Sequence, residues 1–212
     1  MRIEQITNGR FAENCYFAID DATGECAVID PGEDTGLITQ RLQASGATAV
    51  AIWLTHAHVD HILGVSRLKE VTGAPVCLHP GDRMLYDHAP EQAFAFGMRA
   101  ERLPAPDRDL AHGDELDVGG LVFRLRHAPG HSPGSVVFEG HGVVFCGDVL
   151  FQGSIGRTDL PGGDLDTLLK SIERELLTLP DSTIVYSGHG PATTIGHERR
   201  ANPFLTGAYR LG

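Results

Sequence analysis

The segment Thr55-His56-Ala57-His58-Val59-Asp60-His61 places three histidines and an aspartate within six residues. It follows the apolar run Val50–Leu54, which reads as a buried strand, and leads into a helical pattern over His61–Thr72. On a helix His56 and His58 would diverge, whereas on extended backbone both can turn toward one point. Asp60 and His61 then fall at the helix start, and a strand end running into a helix is a rigid place to hang ligands. A lone histidine is ordinarily structural, but this density of imidazole and carboxylate groups points to metal binding.

The pattern recurs. His131 lies in Pro129-Gly130-His131-Ser132-Pro133-Gly134, Asp148 in Cys146-Gly147-Asp148, and His189 in Ser187-Gly188-His189-Gly190-Pro191. Each follows a strand-like run and is flanked by glycine, where the backbone can turn without a Cβ clash. Four such loops can meet at one edge of a layered fold. His56, His58, Asp60, His61, His131, Asp148 and His189 together offer more donors than one tetrahedral zinc needs. They suit two divalent ions about 3.5–4 Å apart, bridged by a carboxylate and a hydroxide. Zinc is the first expectation, and iron and manganese suit the same donors. The remaining histidines, His79, His88, His112, His127, His141 and His197, lie outside this pattern and read as structural.

Positioning these loops requires a scaffold rich in strands. Strand signals cover Arg2–Ile6, Asn14–Ile19, Cys26–Asp30, Val50–Leu54 and Val76–Leu78, with a helix over Asp34–Ser45. After Glu115 they resume at Leu116–Val118, Leu121–Arg126, Ser135–Phe138, Val143–Cys146 and Thr183–Ser187, with helices over Leu165–Leu179 and Gly196–Ala201. Strands and helices mixed twice, strands in the majority, fit an α+β sandwich of two mixed sheets flanked by helices on both outer faces. The expected span is one domain, residues 1–212. Within it the proline-punctuated segment 79–110 reads either as a lid over a cleft or as a surface excursion.

Composition narrows the partners. A formal net charge of -11, with 17 Lys+Arg forming no long run, argues against a nucleic-acid partner. Cys15, Cys26, Cys77 and Cys146 stand singly in apolar runs without Cys-x-x-Cys spacing, as buried thiols of a reducing compartment do. No stretch approaches about 20 apolar residues, so the expectation is a cytoplasmic protein without a membrane partner, monomeric or homodimeric.

The ligand pattern resembles that of the metallo-β-lactamase superfamily, over nearly the whole chain. The resemblance implies the αββα fold, His56, His58 and His131 on one ion, Asp60, His61 and His189 on the second, and Asp148 bridging both. Gly147-Asp148-Val149-Leu150-Phe151, the stretch Gly153-Ser154-Ile155-Gly156-Arg157-Thr158-Asp159, and the tail Ile195–Phe204 are similar to the short bacterial glyoxalase II-like (hydroxyacylglutathione hydrolase-like) branch. That branch implies hydrolysis of a small thioester such as S-lactoylglutathione, by attack of a metal-held hydroxide on the carbonyl. Asp60 and Asp148 would serve catalysis as well as ligation. Arg157 either pairs with Asp159 or steadies the site and meets an anionic substrate. Larger glyoxalase II enzymes carry a further C-terminal helical region that contacts glutathione, and 212 residues are expected to leave no room for it.

Two further readings share the motif. A persulfide dioxygenase resembles this chain through the same ligands and a Gly-Arg-Thr-Asp stretch, and uses a single iron. Hydrolysis of another small ester or lactone needs no different residues.

Overall fold

In the computed structural model, residues 1–208 are described, and the last four of the expected 1–212 span lie outside them. Two six-stranded sheets form the centre. The first runs in spatial order β1 (Arg2–Asn8), β2 (Glu13–Ile19), β3 (Glu25–Ile29), β4 (Thr48–Trp53), β5 (Val76–Leu78) and β6 (Arg108–Asp109). Its β1–β2–β3 part is antiparallel and its β3–β4–β5–β6 part parallel. The second contains β7 (Glu115–Val118), β8 (Leu121–His127), β9 (Val136–Gly140) and β10 (Val143–Gly147). Beyond a small hairpin of β11 (Leu150–Phe151) and β12 (Ser154–Ile155), it is completed by β13 (Ile184–Ser187) and β14 (Thr193–Thr194). Here β10 and β13 are parallel and the other pairings antiparallel.

The period-2 alternation of side chains, with both faces covered, explains why β2 is buried throughout and apolar from Cys15 onward. Tyr16 and Ala18 face the layer between the sheets, with Trp53, Phe123, Phe138 and Phe145. Cys15, Phe17 and Ile19 face the opposite layer, under helices α1 (Thr35–Ser45) and α3 (Val65–Thr72) through Ile38, Leu42, Val65 and Leu68. On the far side, Leu168 of α6 (Leu165–Ser171) covers the second sheet with Val137, Val144 and Val185. This is the expected αββα sandwich. All four cysteines are buried and free. Among the described residues no helix is long and apolar enough to cross a membrane.

Three local expectations change. The helix read over His61–Thr72 is two helices, α2 (Val59–Ile62) and α3, broken at Leu63–Gly64. Gly64 presses on the Pro31–Gly32 backbone, donating its N–H to the Pro31 carbonyl at 2.8 Å, and a Cβ there would stand 2.7 Å from the Gly32 oxygen. The break is therefore set by a tertiary contact and not by helix propensity. The helix read over Leu165–Leu179 is α6 followed by a wider π-turn over Ile172–Leu176. The segment 79–110 is more ordered than its prolines suggest. A 3₁₀ turn at Pro80–Asp82 leads into α4 (Arg83–Asp87) and α5 (Ala89–Ala95), and the chain returns through β6; α7 (Ile195–Ala201) follows β14 at the C-terminal end.

Candidate metal centre

All seven expected donors converge at one edge of the sandwich. The turn after β4 brings His56 and His58, α2 brings Asp60 and His61, and the loops after β8, β10 and β13 bring His131, Asp148 and His189. His131 Nε2 lies 2.8 Å from His58 Nδ1 and 3.2 Å from His56 Nε2. His61 Nε2 stands 3.4 Å from Asp148 Oδ1 and 3.8 Å from Asp60 Oδ2. His189 Nε2 is 3.2 Å from Asp60 Oδ2 and 3.5 Å from Asp148 Oδ2, and the latter oxygen is 3.6 Å from His131 Nε2. Asp148 thus touches both sub-clusters, His56–His58–His131 and Asp60–His61–His189, each close enough to hold a single ion.

The outer nitrogens show which way the lone pairs face. His131 Nδ1 donates to the Arg157 carbonyl at 2.8 Å and His189 Nδ1 to the Phe11 carbonyl at 3.1 Å. His61 Nδ1 donates to Asp30 Oδ2 at 3.0 Å. Thr55 Oγ1 donates to Asp30 Oδ2 at 2.6 Å and so accepts from His56 Nδ1 at 3.0 Å. These partners occupy the outer nitrogens and leave four Nε2 atoms aimed inward at one another and at carboxylate oxygens. A cation among them would take the place of the protons that these atoms otherwise share with Asp60 and Asp148.

The site's buried atoms pass the same test. His61 Nε2 and Asp148 Oδ1 have no hydrogen-bond partner among the described residues, although buried polar atoms are almost always paired. Divalent ions fit these donors in number, type and orientation.

The electrostatics divide the site. Burial, reinforced by His131, depresses His58 to about 3, and burial with His61 and His131 holds His56 well below the ordinary range. Burial would also depress His189, but hydrogen bonds to Asp148 and Asp60 outweigh it and push it up to about 10. For Asp60 and Asp148, burial would raise the carboxyls, yet His61 and His189 hold both below the ordinary range.

Sequence reasoning missed the residues that brace this cluster. Asp30, 2% exposed, receives the Thr55 N–H at 2.7 Å as well as the two bonds above, so its carboxylate is committed to orienting Thr55 and His61. It follows β3 and precedes Pro31-Gly32, the strand-end-and-glycine pattern that marked Asp148. Asp82 receives Ala57 N–H, Ser132 Oγ–H and Gly134 N–H at 2.9, 2.7 and 2.5 Å, joining the His56–His58 turn to the His131 loop. Burial raises the Glu13 carboxyl, whose Oε1 stands 3.9 Å from His61 Nδ1 while Asn8 donates to Oε2 at 2.8 Å. Gly188 has no tolerable substitute, since a Cβ there would collide with Asp148 Oδ1 and with the His61 ring.

Arg157 enters the site through its backbone. Its guanidinium, half exposed, makes two 2.7 Å bonds to Asp159 while its carbonyl holds His131. The donors open onto a cavity of about 370 Å³ lined also by Phe11, Gln92, Phe96, Phe151 and Leu160.

The sequence profile of the metallo-beta-lactamase superfamily matches residues 8–189. The chain is 42% identical over 209 residues to the Haemophilus influenzae protein "Hydroxyacylglutathione hydrolase GloC", covering 97% of this chain and 98% of that one. Among solved structures, the BLEG-1 B3 metallo-beta-lactamase superposes with a TM-score of 0.91 at 42% identity, over 97% of this chain and all (100%) of that one. TTHA1623 in a di-iron-bound form gives 0.89 at 44% identity, over 95% and 100% of the two chains.

Proposed function

The chain belongs to the metallo-beta-lactamase superfamily, and on that premise we propose that it hydrolyses a small thioester at a binuclear centre. His56, His58 and His131 would hold one divalent ion and Asp60, His61 and His189 the other, with Asp148 placed to serve both. When bound, two such ions supply Lewis acidity and lower the pKa of a shared water from 15.7 to about 7. The observation that carries this reading is the inward set of imidazole nitrogens and carboxylate oxygens, with His61 Nε2 and Asp148 Oδ1 buried and without a hydrogen-bond partner.

The chain's own groups do the rest. Asp60 lines the cavity with its carboxylate ionised, so it accepts a hydrogen from the attacking water and fixes its direction toward the carbonyl. Asp30 and the Phe11 and Arg157 carbonyls keep three imidazoles from rotating, which maintains their basicity as ligands. The guanidinium of Arg157 steadies the loop after β12 by pairing with Asp159. The segment 79–110 acts as a lid, placing Gln92 and Phe96 in the cavity wall. Hydroxyacylglutathione, which the Haemophilus influenzae relative is named for, is the first substrate to assay. Four buried free thiols support a reducing, cytoplasmic setting.

Zinc is redox-inert, so hydrolysis by zinc-loaded protein is independent of oxygen. The test follows S-lactoylglutathione cleavage by zinc-loaded protein with and without air, and oxygen uptake by iron-loaded protein given glutathione persulfide. Equal cleavage in both atmospheres is expected. Rapid oxygen uptake, with no thioester cleaved under any metal, overturns the proposal in favour of a dioxygenase.

A further inference from the structure

Away from the candidate metal centre, the cavity walls are mostly apolar, with Phe11, Val59, Phe96, Phe151, Ile155 and Leu160 beside Gln92 and Ser154. Apart from the histidines of the candidate metal centre, Arg157 is the basic residue among the described lining residues, and Asp159 already occupies its guanidinium. Phe11 and Phe96 are 38% and 42% exposed, and their rings meet edge to face at 5.5 Å between centroids. Large aromatic rings left partly in water beside a polar centre mark a binding surface.

Each ring stands on backbone tied to the metal motif by groups other than the ring. The hairpin tip that carries Phe11 has left-handed residues at Gly9 and Ala12, and the Phe11 carbonyl holds His189 Nδ1. The helix before Phe96 is pinned by Gln92, whose Nε2 donates to the Ala57 carbonyl at 3.0 Å, between His56 and His58. The ring positions are therefore fixed relative to the donors, while the rings themselves take no part in holding them.

We infer that Phe11 and Phe96 form an aromatic clamp that selects substrates bearing an apolar group next to the scissile carbonyl, on either the acyl or the thiol side. This rests on the hydrolase reading for its substrate and sharpens it: alkyl- or aryl-substituted thioesters are favoured, and S-lactoylglutathione, with its small polar acyl group, is cleaved less efficiently than they are. A hydrophobic wall rewards each added methylene that it covers.

The test reads binding and turnover separately. Zinc-loaded protein is titrated calorimetrically with alkyl hydroxamates from acetyl to hexanoyl. In parallel, kcat/KM is measured for acyl thioesters of one neutral thiol, and for acetyl thioesters of alkanethiols of increasing length. Affinity is expected to rise about tenfold or more along the hydroxamate series, and kcat/KM similarly along at least one thioester series, mainly through KM. Phe11→Ala and Phe96→Ala each flatten that slope, and both retain the carbonyl and Gln92 anchors. Phe94→Ala, an exposed ring outside the cavity, keeps the slope. A flat series in the wild type, or a slope that survives both substitutions, overturns the clamp. Slopes in hydroxamate binding with no thioester cleaved sustain the clamp and sink the hydrolase reading.

Discussion

The two halves of the proposed metal centre are built from different materials. His56, His58 and His131 are sealed, at most 7% exposed, and contribute imidazoles with no carboxylate among them. Asp60 and His189 face the cavity, with side chains 17% and 28% exposed, and they bring charge. Desolvation dominates at His56 and His58 and keeps those two imidazoles proton-free into acid. Carboxylates dominate the second half and make His189 strongly basic when no cation lies beside it. The sealed half is thus ready to accept a cation with little competition from protons. The open half must release a proton first, because metal ligands bind deprotonated. Both halves reach the cavity, the first through His58 and His131, but the carboxylates lie in the more open one.

The largest effect comes from removing the residue common to both halves. Asp148→Ala deletes the one carboxylate that approaches His61, His131 and His189 together. Loss of an outer-shell partner typically costs 10–100-fold in metal affinity or activity, and loss of this residue is expected to exceed about 100-fold in kcat/KM. Near wild-type turnover with full metal loading would falsify its bridging place.

A smaller effect separates the halves. His189→Ala opens a position that solvent can fill, because that side chain is already part-exposed. His131→Ala leaves a void in a sealed site among residues that cannot take up charge. Elemental analysis should find close to two ions in the wild type. About one tightly held ion should remain in His189→Ala, and a much weaker first site in His131→Ala. Equal loss of metal in the two variants would mean that the halves are not independent.

The candidate donors were legible in the sequence for two reasons: His56, His58, Asp60 and His61 crowd one strand-to-helix turn, and His131, Asp148 and His189 each follow a strand beside glycine. The αββα layering was legible for a related reason: runs such as Asn14–Ile19, apolar on both faces, demand cover on two sides. The braces were not legible. Asp30 and Asp82 are single acids in ordinary turns, and their importance arises from contacts with Thr55, His61, Ser132 and Gly134 that only the fold creates. The break at Gly64 escaped for the same reason, since Pro31 lies on another element. Phe11 and Phe96 carried no signal at all, because an exposed aromatic in a loop looks the same with or without a cavity beneath it.

The smallest expected effect tests how firmly the sealed half is backed. His79 and His127 stack at 4.1 Å between ring centroids, and His127 Nε2 donates to the Pro133 carbonyl at 2.9 Å, in the loop that carries His131. Burial first, and then His127, depress His79 to about 4, against an opposing pull from Asp109. Its folded value therefore lies below its unfolded value of about 6.5. Between those values the unfolded chain binds a proton that the folded chain refuses, so stability rises with pH across the window. The contribution is fully present above about 6.5 and is lost as pH falls toward 4. His79 is only half-buried, so solvent screens much of the effect. Thermal unfolding of wild type and His79→Gln at pH 7.5 and pH 5 isolates it, because the metal ligands titrate identically in both proteins. The wild type is expected to lose ~1–2 °C more than the variant between those two conditions. An identical loss in both would show that the stack does not back the His131 loop.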